Sequence, residues 1–409
     1  MMSSDQHFVI VGGGLAAAKV AEALRSRDFD GHVTLFGSEE YLPYELPPLS
    51  KEHLAGKKAL TEFTIAPAQW YRDHHIEVRL GTTVTGLDTA AKTITLPDGS
   101  AVSYDKLALA TGSTPRTLHV PGADASNVYT LRTIEDSDAL IALFGNARRI
   151  VVIGAGWIGL ETAAAARAAG VEVTIVELAE LPLRTVLGPE MGEVFAGLHR
   201  ANGVNFQFGA QVEAILTEDA VAIAHGVRLA DGSTIDADAV LVAVGARPNV
   251  RLAADAGLAV DDGVLVDEHL ATSDPDIVAV GDIAAALHPT LGRRIRVEHW
   301  ANALNQPAVA AATMLGKPAV YDRLPYFFTD QYDLGMEYIG HVPTDGYARV
   351  VVRGDAAARE FVAFWLDSEN RVLAGMNVNV WDVVDRIKEL ILAGEPVDPD
   401  RLADTAASW

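Results

Sequence analysis

Two copies of one glycine-rich pattern, each between an apolar run and a helix-like run, constrain the fold of this 409-residue chain more than any other feature. The later copy reads IVVIGAGWIGLE over residues 150–161, and an alanine-rich run follows it. This order predicts a strand, a tight turn at Gly154, Gly156 and Gly159, and a helix whose first N–H groups face a pyrophosphate. The next apolar run ends in Glu177, 23 residues after Gly154, where a carboxylate can accept both hydroxyls of an adenosine ribose. The pattern predicts an NAD site.

The earlier copy starts 142 residues before the later one and runs from Phe8 to Gly37 as FVIVGGGLAAAKVAEALRSRDFDGHVTLFG. It has the same order of strand, glycine turn at Gly12 to Gly14, helix and strand. A single glycine turn serves many strand-to-helix junctions, so one copy alone is weak support for a nucleotide site. Two copies with matching flanks predict two Rossmann-like dinucleotide-binding domains in an α/β protein.

Composition narrows the class of protein further. With 49% apolar and 21% charged residues, the chain is globular and long enough for two or three cores. The net charge of −23 disfavours nonspecific binding to nucleic acid or anionic membranes. Neither a membrane-spanning apolar run nor a secretory signal is visible, so we expect a soluble cytoplasmic protein. We also expect a monomer or a weak dimer.

The chain contains no cysteine. This excludes disulfides, thiolate metal sites, protein-ligated iron–sulfur clusters and any dithiol mechanism, and we expect no metal site. A redox function would therefore require a bound organic cofactor.

Further strands end in small or acidic residues, as parallel strands do at a ligand-binding edge. Thr111 and Gly112 follow one such strand, and Gly245 follows another. Gly281 and Asp282 follow a third, and we expect Asp282 to begin a helix over the alanines behind it, either as a ligand contact or as a plain N-cap.

Prolines force residues 41–51, YLPYELPPLSK, into an extended arm that delivers Ser50 and Lys51 to a fixed place, unless this is an ordinary surface loop. Helices are predicted over 134–144, 190–201 and 307–315. After residue 326 the pattern changes to four strands and a closing helix over 381–392, which predicts a C-terminal α+β domain.

Taken together, VIVGGGLAA, PYELPPLSK, LALATGSTPR, IGAGWIGLE, TSDPDIVAVGD, EHWANALNQ and YFFTDQY resemble the two-dinucleotide-binding-domain flavoprotein family, and within it the ferredoxin reductases of oxygenase systems. The resemblance implies a glutathione-reductase-like fold with an NADH domain (116–247) inserted in an FAD domain (1–115 and 248–325), followed by a C-terminal domain (326–409).

The resemblance also implies which residues contact the cofactors. For FAD these are Gly12, Gly14, Leu15, Ala16, Lys51, Val84, Arg132, Asp282 and Trp300. For NADH they are Gly156, Ile158, Gly159, Glu161, Glu177, Arg184 and Gly245. Cofactor contacts are also expected at Thr111, Gly112, Gly281 and Glu298.

One position departs from the family pattern. Relatives usually carry an acid directly after the glycine that ends the second strand, and here that residue is Ser38. A serine hydroxyl can bind a ribose hydroxyl, or the neighbouring Glu39 can take the role of the acid. Both readings stay open from the sequence.

The activity that the resemblance implies is hydride transfer from NADH to FAD, followed by single-electron transfer to a [2Fe-2S] ferredoxin that serves a cytochrome P450 or a ring-hydroxylating dioxygenase. Lys51, held by Glu161, is the expected catalytic pair, because a cation stabilises a reduced flavin. Glu177 favours NADH over NADPH, since a carboxylate repels a 2′-phosphate. The alternative is a slow NADH-sensing flavoprotein like the apoptosis-inducing-factor relatives.

A basic group just before Trp300 offers a docking site for an acidic ferredoxin. Its members are Arg293, Arg294 and Arg296. At physiological salt, charges more than about 8 Å away are largely screened, so a local basic patch can outweigh the negative net charge. A solvated basic turn is the alternative interpretation.

Overall fold

The computed structural model describes residues 5–218 and 222–409. The strands are β1 (His7–Val11), β2 (His32–Phe36), β3 (Ile76–Arg79), β4 (Gly86–Asp88), β5 (Thr93–Thr95), β6 (Ala101–Ser103), β7 (Lys106–Leu109), β8 (Ser113–Pro115), β9 (Val128–Tyr129), β10 (Arg149–Ile153), β11 (Glu172–Glu177), β12 (Val204–Phe208), β13 (Val212–Thr217), β14 (Ala224–Leu229), β15 (Thr234–Asp236), β16 (Ala239–Val242), β17 (Ala246–Pro248), β18 (Val260–Asp261), β19 (Gly263–Val266), β20 (Ile277–Ala279), β21 (Ala284–His288), β22 (Arg293–Arg296), β23 (Tyr326–Gln331), β24 (Leu334–Gly340), β25 (Arg349–Asp355), β26 (Glu360–Leu366) and β27 (Val372–Val378).

The α-helices are α1 (Leu15–Arg25), α2 (Ala68–Asp73), α3 (Ile134–Phe144), α4 (Trp157–Ala168), α5 (Arg184–Ala201), α6 (Arg251–Asp255), α7 (Trp300–Met314), α8 (Val384–Ala393) and α9 (Pro399–Ala403). Short 3-10 helices cover Pro47–Ser50, Leu60–Glu62 and Gly281–Ile283. No helix in the described ranges is both long and apolar enough to cross a membrane.

The chain divides into two compact units, which are described separately. Unit 1 comprises residues 1–45, 60–114 and 247–325, and unit 2 comprises residues 46–59, 115–246 and 326–409. The three-domain division expected from the sequence stays a prediction.

Unit 1 is built on a parallel sheet in the order β20-β7-β1-β2-β3. Its strands are apolar and almost fully buried at the centre, as in a parallel sheet covered on both faces. Helices α1 and α7 pack on each other and on this sheet. Because the strands are parallel, the segments that follow β1, β2, β7 and β20 all emerge at one edge.

Unit 2 also contains a parallel sheet, in the order β12-β11-β10-β16-β9, so the segments that follow its strands likewise emerge at one edge. Residues 326–378 add an antiparallel sheet in the order β23-β24-β27-β26-β25, and α4 contacts its edge strand β23. The mixed α/β fold with two parallel nucleotide-type sheets confirms the predicted fold class.

Three expectations about helices were wrong. Asp282 lies in a 3-10 turn, and the alanines behind it form β21, because they pair with β19 and β22 instead of coiling. The helix expected from Pro307 begins at Trp300, so Pro307 lies inside it. The helix expected from Glu190 begins at Arg184 and is interrupted at Gly188, which has a φ of +82°.

Candidate functional site

The first glycine turn leaves β1 and enters α1 at the carboxyl edge of the unit 1 sheet. A Cβ at Gly12 would lie 2.1 Å from the carbonyl oxygen of Ala110, so the close approach of these two backbone segments requires glycine. Gly14 is the N-cap of α1, and a Cβ there would meet no described atom within 4 Å beyond its chain neighbours. Leu15 and Ala16 begin the helix and are buried.

The segment after β2 carries Ser38, which is exposed, and Glu39, which is half-buried. The Tyr44 hydroxyl donates to Oε2 of Glu39 over 2.6 Å. Glu39 is therefore held by Tyr44 at the sheet edge where β1 also ends, and its role as the substitute for the usual acid stays a prediction. Val84 is half-buried against the core of the same unit.

Asn249, which the sequence did not single out, holds the turn after β7. Its backbone carbonyl accepts from the Thr111 hydroxyl over 2.8 Å, and its amide group donates to the Thr111 carbonyl over 2.8 Å. The backbone N–H of Asn249 donates to the carbonyl of Gly112 over 2.9 Å. The Asn249 amide oxygen also accepts from Thr114 over 2.8 Å. The ARPN sequence after the second nucleotide unit was the available signal.

The segment after β20 brings Gly281 and Asp282 to the same edge. A Cβ at Gly281 would lie 3.3 Å from the Cβ of Ala16, next to the first glycine turn. The Asp282 carboxylate accepts from the Ser113 hydroxyl over 2.8 Å, which joins the segments after β7 and β20. Trp300 begins α7, and its indole N–H donates to Glu45 over 3.4 Å.

The basic group is partly engaged within the chain. Arg296 forms ion pairs with Asp262 over 3.1 Å and with Glu298. Burial acts to lower the pKa of Arg296, but hydrogen bonds to Glu298 and Asp262 outweigh it and raise the pKa. Arg294 donates to the carbonyls of Val266 and Ala285. The charge of Arg296 is thus compensated locally, and docking through this group stays a prediction.

The second glycine turn joins β10 to α4 in unit 2. A Cβ at Gly154 would lie 2.4 Å from the carbonyl oxygen of Ala243, and one at Gly159 would lie 2.2 Å from the carbonyl oxygen of Gly154. Gly156 is the N-cap of α4, and a Cβ there would meet no described atom within 4 Å beyond its neighbours. Gly154 and Gly159 therefore allow close backbone contacts within the turn, whereas Gly156 faces open space.

Glu177 ends β11 beside this turn. Its carboxylate accepts from the backbone N–H of Ala155 over 2.6 Å and from that of Ala179 over 2.8 Å. Leu178, the next residue, is 71% exposed. The structure thus brings the predicted ribose-binding carboxylate to the predicted pyrophosphate turn.

Three other residues of unit 2 are predicted to contact NADH, and each has a different environment. Gly245 follows β16 with a φ of +91°, and its carbonyl accepts from the backbone N–H of Arg116 over 2.9 Å. Ile158 is 41% exposed in the first turn of α4. Arg184 pairs with Asp345 over 2.8 Å, and this hydrogen bond raises the pKa of Arg184. The side chain of Arg184 is therefore directed to a carboxylate in the described structure.

Arg132 precedes the capping box of α3. Its backbone N–H donates to the Asp136 carboxylate over 2.8 Å. Its expected contact with FAD stays a prediction.

Lys51 and Glu161 form a buried ion pair in unit 2. Lys51 Nζ lies 2.7 Å from Glu161 Oε1, and the side chains are only 11% and 4% exposed. The ammonium also lies 5.5 Å from the centre of the Phe328 ring. The pairing expected from the sequence is present in the geometry, and its catalytic role stays a prediction.

Two hydroxyls that the sequence did not assign complete the surroundings of Glu161. Ser50 donates to Oε2 over 2.5 Å, and Thr329 donates to Oε1 over 2.6 Å. Both lie in motifs quoted above, PYELPPLSK and YFFTDQY, but the pattern gives no sign that they converge on one carboxylate. Three donors satisfy this buried charge.

The donors available at each glycine turn suit a dinucleotide. Among the described residues, no side chain caps the N-terminus of α1 or of α4. The backbone N–H groups in the first turns of α1 and α4 therefore have no side-chain cap, and the N-cap glycines, Gly14 and Gly156, leave space beside them. This arrangement fits the pyrophosphate of FAD or NADH. No group of three or more candidate metal ligands occurs within residues 5–218 and 222–409.

Comparison with known families gives two matches in one chain. The pyridine nucleotide-disulphide oxidoreductase model matches residues 6–307, and the reductase C-terminal model matches residues 326–408. Because the chain has no cysteine, the disulphide of the first description cannot belong to its own side chains.

Individual relatives match almost from end to end. The ferredoxin–NAD(+) reductase component of the anthranilate 1,2-dioxygenase system of Burkholderia cepacia is 40% identical over 98% of each chain. Putidaredoxin reductase of Pseudomonas putida is 37% identical, over 98% of this chain and 96% of the relative. The reductase in the crystal structure of the covalent putidaredoxin reductase–putidaredoxin complex superposes with a TM-score of 0.94, covering 99% of this chain and 97% of that one at 37% identity. The chain therefore belongs to the pyridine nucleotide-disulphide oxidoreductase family, among the ferredoxin reductases of oxygenase systems.

Proposed function

We propose that this protein is an FAD-dependent NADH:ferredoxin reductase that supplies electrons to an oxygenase. The observation that carries the proposal is the match over nearly the whole chain to reductase components of oxygenase systems. The described geometry agrees with it, because each unit has a parallel sheet with a glycine turn and an uncapped helix at its carboxyl edge.

Unit 1 supplies the residues that would hold FAD. Gly12 and Gly14 shape the turn, Glu39 offers a fixed carboxylate for ribose, and Asp282 is held by Ser113. When bound, FAD supplies the exchange between a two-electron donor and one-electron acceptors, which no side chain of this cysteine-free protein can provide.

Unit 2 supplies the residues that would hold the nicotinamide nucleotide. Gly156 leaves room for the pyrophosphate, and Glu177 offers acceptors to the ribose hydroxyls. A 2′-phosphate would meet the negative charge of Glu177, and Leu178 brings no compensating cation. We therefore propose NADH as the preferred coenzyme. We also propose the cytoplasm as the site of action.

Lys51 is proposed as the cation that stabilises the negative charge of the reduced flavin. Glu161 fixes the position of its ammonium group, and the hydrogen bonds from Ser50 and Thr329 fix the carboxylate in turn. The chain's contribution is thus alignment and electrostatics, with no side chain acting as acid or base.

The test is reconstitution of the purified protein with FAD, followed by NADH and a panel of [2Fe-2S] ferredoxins that includes putidaredoxin. We expect flavin absorption bands that bleach with NADH and reduction of at least one ferredoxin by a catalytic amount of the protein. A protein that takes up no FAD would overturn the proposal. An FAD protein that is reduced slowly and passes electrons to none of the panel would favour the NADH-sensing alternative.

A further inference from the structure

A row of buried polar side chains begins at Thr329 in unit 2. The Thr329 hydroxyl donates to Glu161 over 2.6 Å, and the amide group of Gln331 donates to the Thr329 oxygen over 3.1 Å. Both side chains belong to β23, where residues two apart lie on the same face of the sheet. Each residue is only 1% exposed.

The row continues onto helix α5. Nε2 of His199 lies 2.8 Å from the amide oxygen of Gln331, and the Tyr332 hydroxyl lies 3.4 Å from Nδ1 of His199. His199 is fully buried. Four side chains therefore form one continuous path to the Lys51–Glu161 pair, in the order Tyr332, His199, Gln331 and Thr329.

The chemistry of each group fixes the direction of these hydrogen bonds. An ionised carboxylate only accepts, so the single proton of the Thr329 hydroxyl points to Glu161 and its oxygen accepts from Gln331. The Gln331 oxygen must then accept from Nε2–H of His199, which leaves Nδ1 to accept from Tyr332. Every donor in the row thus points towards Glu161.

The row consists of neutral polar groups whose dipoles have fixed orientations, and it does not carry protons to Glu161. Burial lowers the pKa of His199 to about 4, against the opposing effect of its hydrogen bond with Gln331, so the imidazole is neutral near pH 7. The amide of Gln331 neither gains nor releases a proton in this range. Aligned neighbouring dipoles strengthen one another in a low-dielectric interior.

We infer that Thr329, Gln331 and His199 are positioning residues that hold the Glu161 carboxylate in one orientation and thereby fix the ammonium group of Lys51. The effect on Lys51 depends only on the described contacts. The effect on electron transfer rests on the function proposed above, in which Lys51 stabilises the reduced flavin.

Thr329→Val removes the donor at nearly constant volume, whereas Thr329→Ser keeps it. Gln331→Leu removes the second link and leaves all three side chains that donate to Glu161 unsubstituted. Thr313→Val is the matched control, because Thr313 is a part-buried threonine of unit 1 whose hydroxyl donates to the carbonyl of His269 over 2.6 Å. Melting temperature and FAD content are measured for each variant.

The first measurement needs neither cofactor nor turnover. Apoprotein is treated briefly with acetic anhydride, and acetylation of Lys51 is compared with that of the exposed Lys57 by mass spectrometry. We expect Thr329→Val to raise the relative labelling of Lys51 about threefold or more, Gln331→Leu to raise it less, and Thr329→Ser and Thr313→Val to match the parent protein. Parental labelling in both Thr329→Val and Gln331→Leu would overturn the inference, and if Thr329→Val does not fold, Gln331→Leu decides.

The second measurement is made on FAD-loaded protein. We expect Thr329→Val to slow flavin reduction by saturating NADH about tenfold, as loss of a hydrogen bond to a charged group predicts, with the KM for NADH changed less than twofold. The flavin midpoint potential should become more negative, and serine should restore both. If the parent protein reduces no ferredoxin while the labelling pattern holds, the proposed function fails and the positioning inference stands. Parental rates and potentials in a folded Thr329→Val protein would contradict the link to the flavin.

Discussion

The carboxylate of Glu177 accepts the backbone N–H of Ala155 over 2.6 Å, so the end of β11 is tied to the glycine turn that precedes α4. Glu177 is therefore held by the turn. In the proposed function this carboxylate binds the ribose, and its negative charge would repel the extra phosphate of NADPH.

We expect the protein to use NADH at least about tenfold more efficiently than NADPH, because repulsion of about 1.4 kcal/mol between the Glu177 carboxylate and a 2′-phosphate is enough for a tenfold preference. Glu177→Gln should reduce that preference by weakening the repulsion. The measurement is the ratio of kcat/KM for the two coenzymes. Glu172→Gln, at the exposed opposite end of the same strand, is the control, and equal use of both coenzymes by the parent protein would refute the role of Glu177.

Lys51→Met should leave FAD bound and slow flavin reduction by NADH, because the cation that stabilises the reduced flavin is lost. It should also lower the free energy of unfolding by about 3 kcal/mol, since Glu161 is left as a buried charge without its cation. Stopped-flow reduction and denaturant unfolding measure the two effects. Lys57→Met at an exposed position is the control, and unchanged reduction kinetics would rule out the assignment of Lys51.

Gly156→Ala and Gly159→Ala should separate cofactor binding from folding. The added methyl at Gly156 meets only open space, so the fold should stay within about 1 kcal/mol of the parent while NADH binding weakens. The methyl at Gly159 would lie 2.2 Å from a backbone oxygen, so this variant should lose stability as well. Isothermal titration with NADH and thermal melting distinguish them. Gly197→Ala, inside α5 with open space around it, should be neutral or stabilising.

Arg293→Glu should raise the apparent KM for an acidic ferredoxin about threefold or more at low salt, and the difference should shrink as salt is added. Arg294→Glu is measured alongside it, with the melting temperature of both variants, because the Arg294 guanidinium donates to the carbonyls of Val266 and Ala285. Reduction of a small dye by NADH should not change. Arg251→Glu, whose side chain is 93% exposed in the same unit, controls for net charge, and an equal effect of both variants would argue against a local docking site.

His199 should make the protein less stable in acid. Its imidazole takes up a proton near pH 6.5 when unfolded but only near pH 4 when folded, because burial lowers the folded pKa. Between these values the unfolded state binds more protons, so stability is lost as pH falls, by on the order of 3 kcal/mol in total. Denaturant unfolding at a series of pH values should show a smaller acid loss for His199→Phe than for the parent. An unchanged slope would contradict the buried neutral imidazole.

The sequence was most informative where structure is local. The order of apolar run, glycine turn and alanine run predicted both nucleotide sheets, because strand, turn and helix propensities act over a few residues. It failed at Ala284–Ala286, where pairing with two neighbouring strands overrides the helix preference of alanine. It failed at Pro307 too, because proline favours the first turn of a helix but α7 continues through it.

The site was only partly predictable for a related reason. Lys51 and Glu161 could be paired by resemblance, but Thr329 lies 168 residues from Glu161 and nothing in its own segment specifies a buried carboxylate as its partner. Asn249 likewise acts on a turn 138 residues earlier. Contacts of this kind depend on how distant segments come together, which periodicity and spacing do not report.

The position of β20 at the edge of the unit 1 sheet has a consequence for synthesis of the chain. Ile277 of β20 pairs with Leu107 of β7, and the ribosome synthesises Ile277 170 residues after Leu107. Strand β7 therefore lacks this neighbour until β20 has been made. At roughly 5 to 20 residues per second, that delay is about 10 to 30 s. During this interval the edge of a hydrophobic parallel sheet has no partner strand, so we expect chaperones to bind the nascent N-terminal segment.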